Sequence, residues 1–441
     1  MSTLKIRRLF LGRRLGLLAA AFFCLVGLGI SERPAQAQLK IEVSGVGGNK
    51  IPIAIATFVD YSNAPVDIAE IVRSDLTRSG AFSVIKPDGP MSESARPEWT
   101  DLRSQGVDAV VGGSFLRLAG DKFEIKYRLQ LGDEKTAWGF TLEGNAAFVR
   151  AAAHKIADQI YEKLTGEKGN FSTRLAYVGK ENGQFKLHVA DWDGANAQVA
   201  LTSSEPIISP RWSPDSSRIA YVSFENGKPQ VFVQNIFNER RTKVADFSGS
   251  NSAPAWHPDG KTLAVVLTTE GVSKIYLINA QGGGTPRAVS RSTSSIETEP
   301  EFHPDGASIW FTSDRRGGKP QIYRLFISSG EIRPITSTST YNSSPRVSKD
   351  GRMLTYISRR DNRFQIVVRD LETDTEALLS DGSGDDQSPS FSPFNRWILF
   401  TTRLGGKREV LTAVSVDGRN RQKLFSPNSD IREPDWGPPP N

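Results

Sequence analysis

Thiol chemistry is nearly absent from this chain, whose 441 residues include a single cysteine, Cys24. A disulfide framework and a cysteine-built zinc or iron–sulfur site both need several sulfurs, so both are excluded. Histidine is scarce as well, with four residues, and no G-x-S-x-G nucleophile elbow occurs anywhere in the sequence. The formal net charge is +6, yet the body of the chain has almost no charge surplus. Residues 1–37 hold Lys5, Arg7, Arg8, Arg13, Arg14 and Arg33 against Glu32, which leaves 49 of the 55 basic and 48 of the 49 acidic residues for the rest. A nucleic-acid binder needs a clustered basic surface, and this composition supplies no global excess from which to build one, so no nucleic-acid partner is expected. Long apolar runs are missing too. Residues 15–30 (LGLLAAAFFCLVGLGI) make a run of 16, short of the ~20 that span a bilayer.

That run follows a basic start and precedes Ala35-Gln36-Ala37, a small-x-small cleavage pattern. The combination reads as a secretory signal peptide over residues 1–37; the alternative, a single membrane anchor, is disfavoured by the short run. Cleavage removes Cys24 and leaves a mature chain without a thiol or a membrane span. Arg7-Arg8-Leu9-Phe10-Leu11 resembles a twin-arginine box, although Ile6 sits where that signal prefers Ser or Thr, so the general and twin-arginine routes both stay open.

From residue 38 to residue 165 the pattern alternates between strands and helices. Residues 50–59 (KIPIAIATFV) read as a strand, and residues 67–79 place Ile68, Ile71, Val72 and Leu76 on one helical face behind an Asp67 cap. Further strands are expected at 82–85, 109–116 and 123–131, and helices at 99–105 and 146–164. The sum is a small α/β domain, followed by a connecting segment at 166–173. Gly45-Val46-Gly47-Gly48 precedes a strand and lacks the third glycine of the dinucleotide fingerprint, so it reads as a turn and no cofactor is implied.

From residue 174 to residue 441 helical periodicity gives way to a repeat. Its copies are Pro210-Arg211-Trp212-Ser213-Pro214-Asp215, Pro254-Ala255-Trp256-His257-Pro258-Asp259-Gly260 and Pro300-Glu301-Phe302-His303-Pro304-Asp305-Gly306, with degenerate versions beginning at Pro345, Pro389 and Pro434. Successive anchor prolines lie 44, 46, 45, 44 and 45 residues apart, the spacing of four-stranded propeller blades. Proline suits the first residue of an inner strand, the aromatic two positions later points between sheets, and Pro-Asp-Gly closes the turn into the second strand. Three strands near 175–178, 185–189 and 198–201 lack an anchor, and Pro434-Asp435-Trp436 is an anchor with no blade after it. Joining them gives an all-β six-bladed propeller whose last blade is closed by both ends of the segment.

Few residues invite chemistry. His257 and His303 occupy equivalent positions and suggest a metal pair, but Ser213, Ser348 and Ser392 fill the same position, which favours a turn residue bonding its own backbone. Asp191-Trp192-Asp193-Gly194 opens like a calcium loop, yet Ala195 stands where the next ligand belongs, so a hairpin turn is expected. Residues 381–386 (DGSGDD) read as a solvated connection that leaves room for weak calcium binding. What remains is surface. The residues just before the anchor prolines, Ser252-Ala253, Thr298-Glu299, Ser343-Ser344 and Arg432-Glu433 among them, enter the inner strands from one end and should ring the mouth of the central channel. A rim of small and polar residues suits a protein loop or peptide; the bland alternative is a set of tight connections between blades.

The junction Lys163-Leu164-Thr165-Gly166-Glu167-Lys168-Gly169 leading into Thr173-Arg174-Leu175-Ala176-Tyr177-Val178, the repeated Pro-x-Trp-Ser-Pro-Asp-Gly anchors and Phe311-Thr312-Ser313-Asp314 resemble the TolB family of the Tol-Pal envelope system over essentially the whole mature chain. The resemblance implies a non-enzymatic periplasmic adaptor between the peptidoglycan-associated lipoprotein Pal and TolA. By motif position Pal would dock at Ser250, Ala253, Thr298 and Glu299 with the neighbouring Ser343 and Arg432. TolA would take the first mature residues, Gln38, Leu39, Lys40, Ile41, Glu42 and Val43, whose alternation suits addition to a sheet edge. A propeller-based periplasmic hydrolase or lyase, acting through an aspartate or histidine in the channel, is the other class kept in play.

Overall fold

The computed structural model describes residues 40–45, 50–132, 135–269, 271–317, 319–337, 341–405, 408–425 and 430–440. The expected leader, Gln38, Leu39 and all of the glycine turn but Gly45 lie outside these residues.

The α/β domain is built from β2 (Ile51–Ile55), β3 (Val59–Asp60), α1 (Ile68–Arg78), β4 (Phe82–Ile85), α2 (Trp99–Ser104), β5 (Ala109–Leu118), β6 (Lys122–Leu131), β7 (Ala137–Asn145) and α3 (Val149–Thr165), after an initial strand β1 (Lys40–Gly45). Its sheet has the order β4-β2-β5-β6-β7, with β3 added to β5. Asp67 caps α1 by accepting from the Glu70 N–H at 2.9 Å, as its side-chain chemistry favours. Ile68, Val72 and Leu76 are buried against the sheet.

Two expectations change here. Residues 50–59 do not make one strand, because Thr57 turns aside to bridge Pro90 and Met91 inserts its backbone between Thr57 and Gly113 at 2.9 and 2.8 Å. β7 has no counterpart in the sequence reading. Gly139 and Gly144 weaken its strand signal, while Trp138, Phe140 and Leu142 on one face pack partly against the core.

The propeller has the expected six four-stranded sheets. The inner strands are Ile207–Trp212, Asn251–Trp256, Glu297–Phe302, Asn342–Val347, Asp385–Phe391 and Asp430–Trp436 for blades one to six. Blade six is completed as the sequence implied: Asp430–Trp436 lies beside β8 (Arg174–Glu181), with Trp436 opposite Leu175, followed by β9 (Gln184–Asp191) and β10 (Gln198–Ser203).

The anchor prolines, expected to begin their strands, sit inside them. In every inner strand the register shifts at the residue before the proline. That residue takes a left-handed backbone: Ser209, Ala253, Glu299, Ser344, Ser388 and Glu433 have φ of 53, 48, 52, 54, 55 and 47°. Each is a β-bulge, where one ladder position goes unpaired and the missing proline N–H costs no hydrogen bond. The left-handed conformation costs a non-glycine residue roughly 1–2 kcal/mol, so the surrounding sheets must hold it in place.

The two domains share one apolar core. Ile160 and Tyr161 of α3, Phe171, Trp192 of blade six, Leu424 of blade five and Trp436 belong to a single buried cluster. Phe171 of the connecting segment is part of it, packing at 5.6 Å from Tyr161 and 5.2 Å from Trp192. Asp158 accepts from the N–H groups of Phe171 and Ser172 at 2.8 and 3.0 Å, and Trp436 Nε1 donates to Thr173 Oγ1 at 2.8 Å. These contacts gather at the ends of the inner strands, so the α/β domain lies on that face of the ring, away from the mouth where the strands begin. β1 adds a fifth strand to blade five, antiparallel to Asn420–Phe425, with Lys40 opposite Phe425 and Gly45 opposite Asn420.

Candidate partner-binding site

The bulges place side chains in the channel at fixed heights. Before each proline the ring carries Ser209, Ala253, Glu299, Ser344, Ser388 and Glu433, and after it Arg211, Ala255, Glu301, Arg346, Ser390 and Asp435. Both series follow a small–small–acidic or Arg–small–acidic order that repeats after three blades. The first ring lines a cavity of about 140 Å³ at the mouth. Below it a second cavity of about 290 Å³ is walled by Trp212, Trp256, Phe302, Phe391 and Trp436. Arg211 and Arg346 border both, forming a waist between them.

The charges at the waist are paired within the ring. Arg346 lies 3.7 Å from Glu301 of the preceding blade, and Arg211 lies 3.8 Å from Asp435 across the closure. Confinement in the channel pushes the Glu301 carboxyl up to about 7, against the pull of Arg211, and burial raises Asp435 in the same way. Asp435 also accepts from Ser390 Oγ at 3.1 Å. Each acid thus faces an arginine of a neighbouring blade.

The expected docking residues do not all line one surface. Ala253 and Glu299 line the mouth cavity, with Thr298 beside them and half-buried. Ser250 precedes the blade-two strand and its carbonyl accepts from Thr268 N–H at 3.0 Å. Glu299 already has work in the ring: Thr312 Oγ1 and the Ser344 N–H donate to it at 2.8 Å each, and Ser344 Oγ at 2.6 Å. Ser343 is buried, at 4% exposure. Arg432 is half-exposed and held by Glu409 at 2.8 Å. Of the expected TolA strand, Lys40, Ile41, Glu42 and Val43 lie in β1 and are paired along the edge of blade five.

The histidine pair resolves into turns. His257 Nδ1 accepts from Asp259 N–H at 3.0 Å and His303 Nδ1 from Asp305 N–H at 3.4 Å, as Ser213 and Ser348 Oγ accept from Arg218 and Met353 N–H at 3.0 and 2.8 Å. Asp191-Trp192-Asp193-Gly194 is a hairpin turn, closed by Gly194 N–H on Asp191 O at 2.8 Å.

That turn has a role the sequence reading missed. Asp75 of α1 is fully buried; its carboxylate meets His154 Nδ1 at 2.6 Å and accepts from Trp192 Nε1 at 3.0 Å. Arg150 of α3 bonds Asp191 at 2.9 Å and also engages Asp193, which Arg78 reaches at 3.3 Å. Burial pulls the His154 imidazole down, but Asp75 and Asp191 overcome it and lift its pKa to about 10. Three cations of the α/β domain, Arg78, Arg150 and His154, thus meet Asp75 of their own domain and, across the junction, Asp191 and Asp193. His154, Asp191 and Asp193 stand close enough together to suit a metal, but Arg150 occupies the carboxylates. Only proximity in space, invisible in the sequence, unites these residues.

Among the described residues no helix is long and apolar enough to cross a membrane. Residues 161–439 match the family model for the TolB beta propeller domain, and residues 39–130 that for the TolB amino-terminal domain. The Tol-Pal system protein TolB of Bordetella pertussis is 47% identical over 421 residues, 95% of each chain. That of Nitrosospira multiformis is 46% identical over 411 residues, 92% of this chain and 93% of the relative. The crystal structure of TolB from Acinetobacter baumannii superposes with a TM-score of 0.80 at 32% identity, covering 91% of this chain and all of that one. With both of its domains matched in this order, the chain belongs to the TolB family of the Tol-Pal system.

Proposed function

We propose that the protein is a periplasmic adaptor of the Tol-Pal system, exported by a cleaved leader. In this reading the propeller mouth binds the lipoprotein Pal, and residues 38–43 of the mature chain bind TolA. Binding and release at these two places supports outer-membrane integrity and constriction during cell division. The observation that carries the first half is the mouth cavity, polar and about 140 Å³, at the end of the ring turned away from the α/β domain. A protein loop can enter it without displacing either domain. The second half is supported by β1, a short segment in extended form whose ladder to Asn420–Phe425 TolA would replace.

Calorimetric titration of the mature chain with the soluble domain of Pal tests the mouth. Thr298→Arg fills the rim without cutting the Glu299 bonds and should weaken Pal at least tenfold, about 1.4 kcal/mol; unchanged affinity defeats the assignment. Deleting residues 38–43 should weaken TolA while leaving Pal binding intact or improved, and equal loss of both contradicts two separate sites.

A further inference from the structure

The mouth face is electrostatically lopsided. Blade three leaves its second strand at Asp314, directly after Ser313, which pairs with Glu297 at the start of the inner strand, and enters its third at Gln321. Blade four extends further: Arg359 opposite Phe364 and Arg360 opposite Arg363 lie beyond the last inner-strand pair, Asn342 with Ser358. Both hairpins therefore project at the mouth. The first carries Arg315, Arg316 and Lys319 against Asp314, the second Arg359, Arg360 and Arg363 against Asp361.

Two of these cations serve the fold. Arg315 pairs with buried Glu297 and stacks over Tyr323 at 4.8 Å, and Arg360 pairs with Glu376 at 2.9 Å. The other four are exposed, and among the described residues none has a carboxylate partner. Arg359 donates to Asn362 Oδ1 at 2.6 Å and Arg363 to the Gly382 carbonyl, both neutral acceptors. Elsewhere on this face Lys228 pairs with Asp246 in blade one and Lys186 with Glu181 in blade six, both at 2.8 Å.

We propose that Arg316, Lys319, Arg359 and Arg363 form a basic ridge that receives an acidic patch of the protein docked at the mouth, steering its approach and fixing its rotation about the channel axis. The inference rests on the reading of the mouth as the Pal site and assigns Pal the complementary acidic surface. Exposed charges at an interface rim act mainly on the association rate, and their effect is screened by salt.

Stopped-flow association of the mature chain with the soluble domain of Pal, between about 20 and 200 mM NaCl, reads this directly. Reversal of all four (R316E, K319E, R359E, R363E) should lower the low-salt association rate about tenfold and flatten its salt dependence, with dissociation little changed. The pair Arg316→Glu with Lys319→Glu, for which no ion-pair partner stands among the described residues, should give part of the effect with unaltered thermal unfolding. An unchanged rate and salt slope with Pal still bound overturns the ridge and leaves the mouth standing. Failure of the unmodified chain to bind Pal overturns the mouth and the ridge together. Ridge-dependent sedimentation with phosphatidylglycerol vesicles, alongside an unaltered Pal rate, identifies a lipid surface instead and also overturns the proposal.

Discussion

Asp435 in the last strand accepts a hydrogen bond from the backbone N–H of Trp212 at 2.8 Å, joining residues 223 positions apart across the seam where the ring closes. The same carboxylate holds Ser390 and faces Arg211, so one side chain ties blade six to both of its neighbours.

Asp435→Ala leaves the Trp212 N–H without its acceptor and Arg211 without its carboxylate. A buried donor so orphaned costs about 1–3 kcal/mol, and urea unfolding should show a loss of that order. Trp436→Ala removes a buried indole shared by the ring and the connecting segment, at about 3–5 kcal/mol. Removing residues 434–441 combines both losses and should lower thermal resistance and Pal capture together.

Glu299 lies where partner contact was expected, yet its carboxylate fastens blade three to Ser344 of blade four. Glu299→Ala should therefore destabilise the propeller by about 1–3 kcal/mol, a loss visible in urea denaturation without any partner present. Ser344→Ala should take away a smaller part, since the backbone bond to Glu299 remains.

The domain junction gives a pH signature. His154 titrates near 6.5 when unfolded and at about 10 in place, so the folded chain binds the extra proton between those values. Its contribution is fully present below about 6.5 and fades as pH climbs through 10. Denaturant midpoints of the parent should thus decline over this window more steeply than those of His154→Gln; parallel profiles would show that the imidazole carries no such linkage.

Pairing with blade five uses one edge of β1, and a second sheet cannot take that edge while it is occupied. Glu42 lies opposite Lys423, and the only natural cysteine is in the expected leader. In the mature chain carrying Glu42→Cys and Lys423→Cys, oxidation should suppress TolA binding and reduction restore it, with Pal affinity unaffected in both states.

The repeat made most of the ring legible, because each blade carries its own proline, aromatic and turn residues, and Pro434-Asp435-Trp436 announced an unfinished blade. Local signals of that kind do not reveal what distant segments do to one another. The left-handed turn at Ser209 and its five counterparts depends on a bulge that forms only against the second strand. Likewise Glu299 is a polar rim residue in one dimension and a clamp in three, and Asp75, His154 and Asp191 meet only after two domains pack. β7 escaped notice because its glycines mask an alternation that its neighbours stabilise.

The Arg–small–acidic succession around the channel waist recurs on opposite sides of the ring, so a guest arriving along the axis meets nearly the same charges at two azimuths half a turn apart. Such an interior cannot by itself tell a partner which way to face. Orientation has to be decided outside, by hairpins that differ from blade to blade, and sequence drift in those outer loops can retune partner choice while the waist stays fixed.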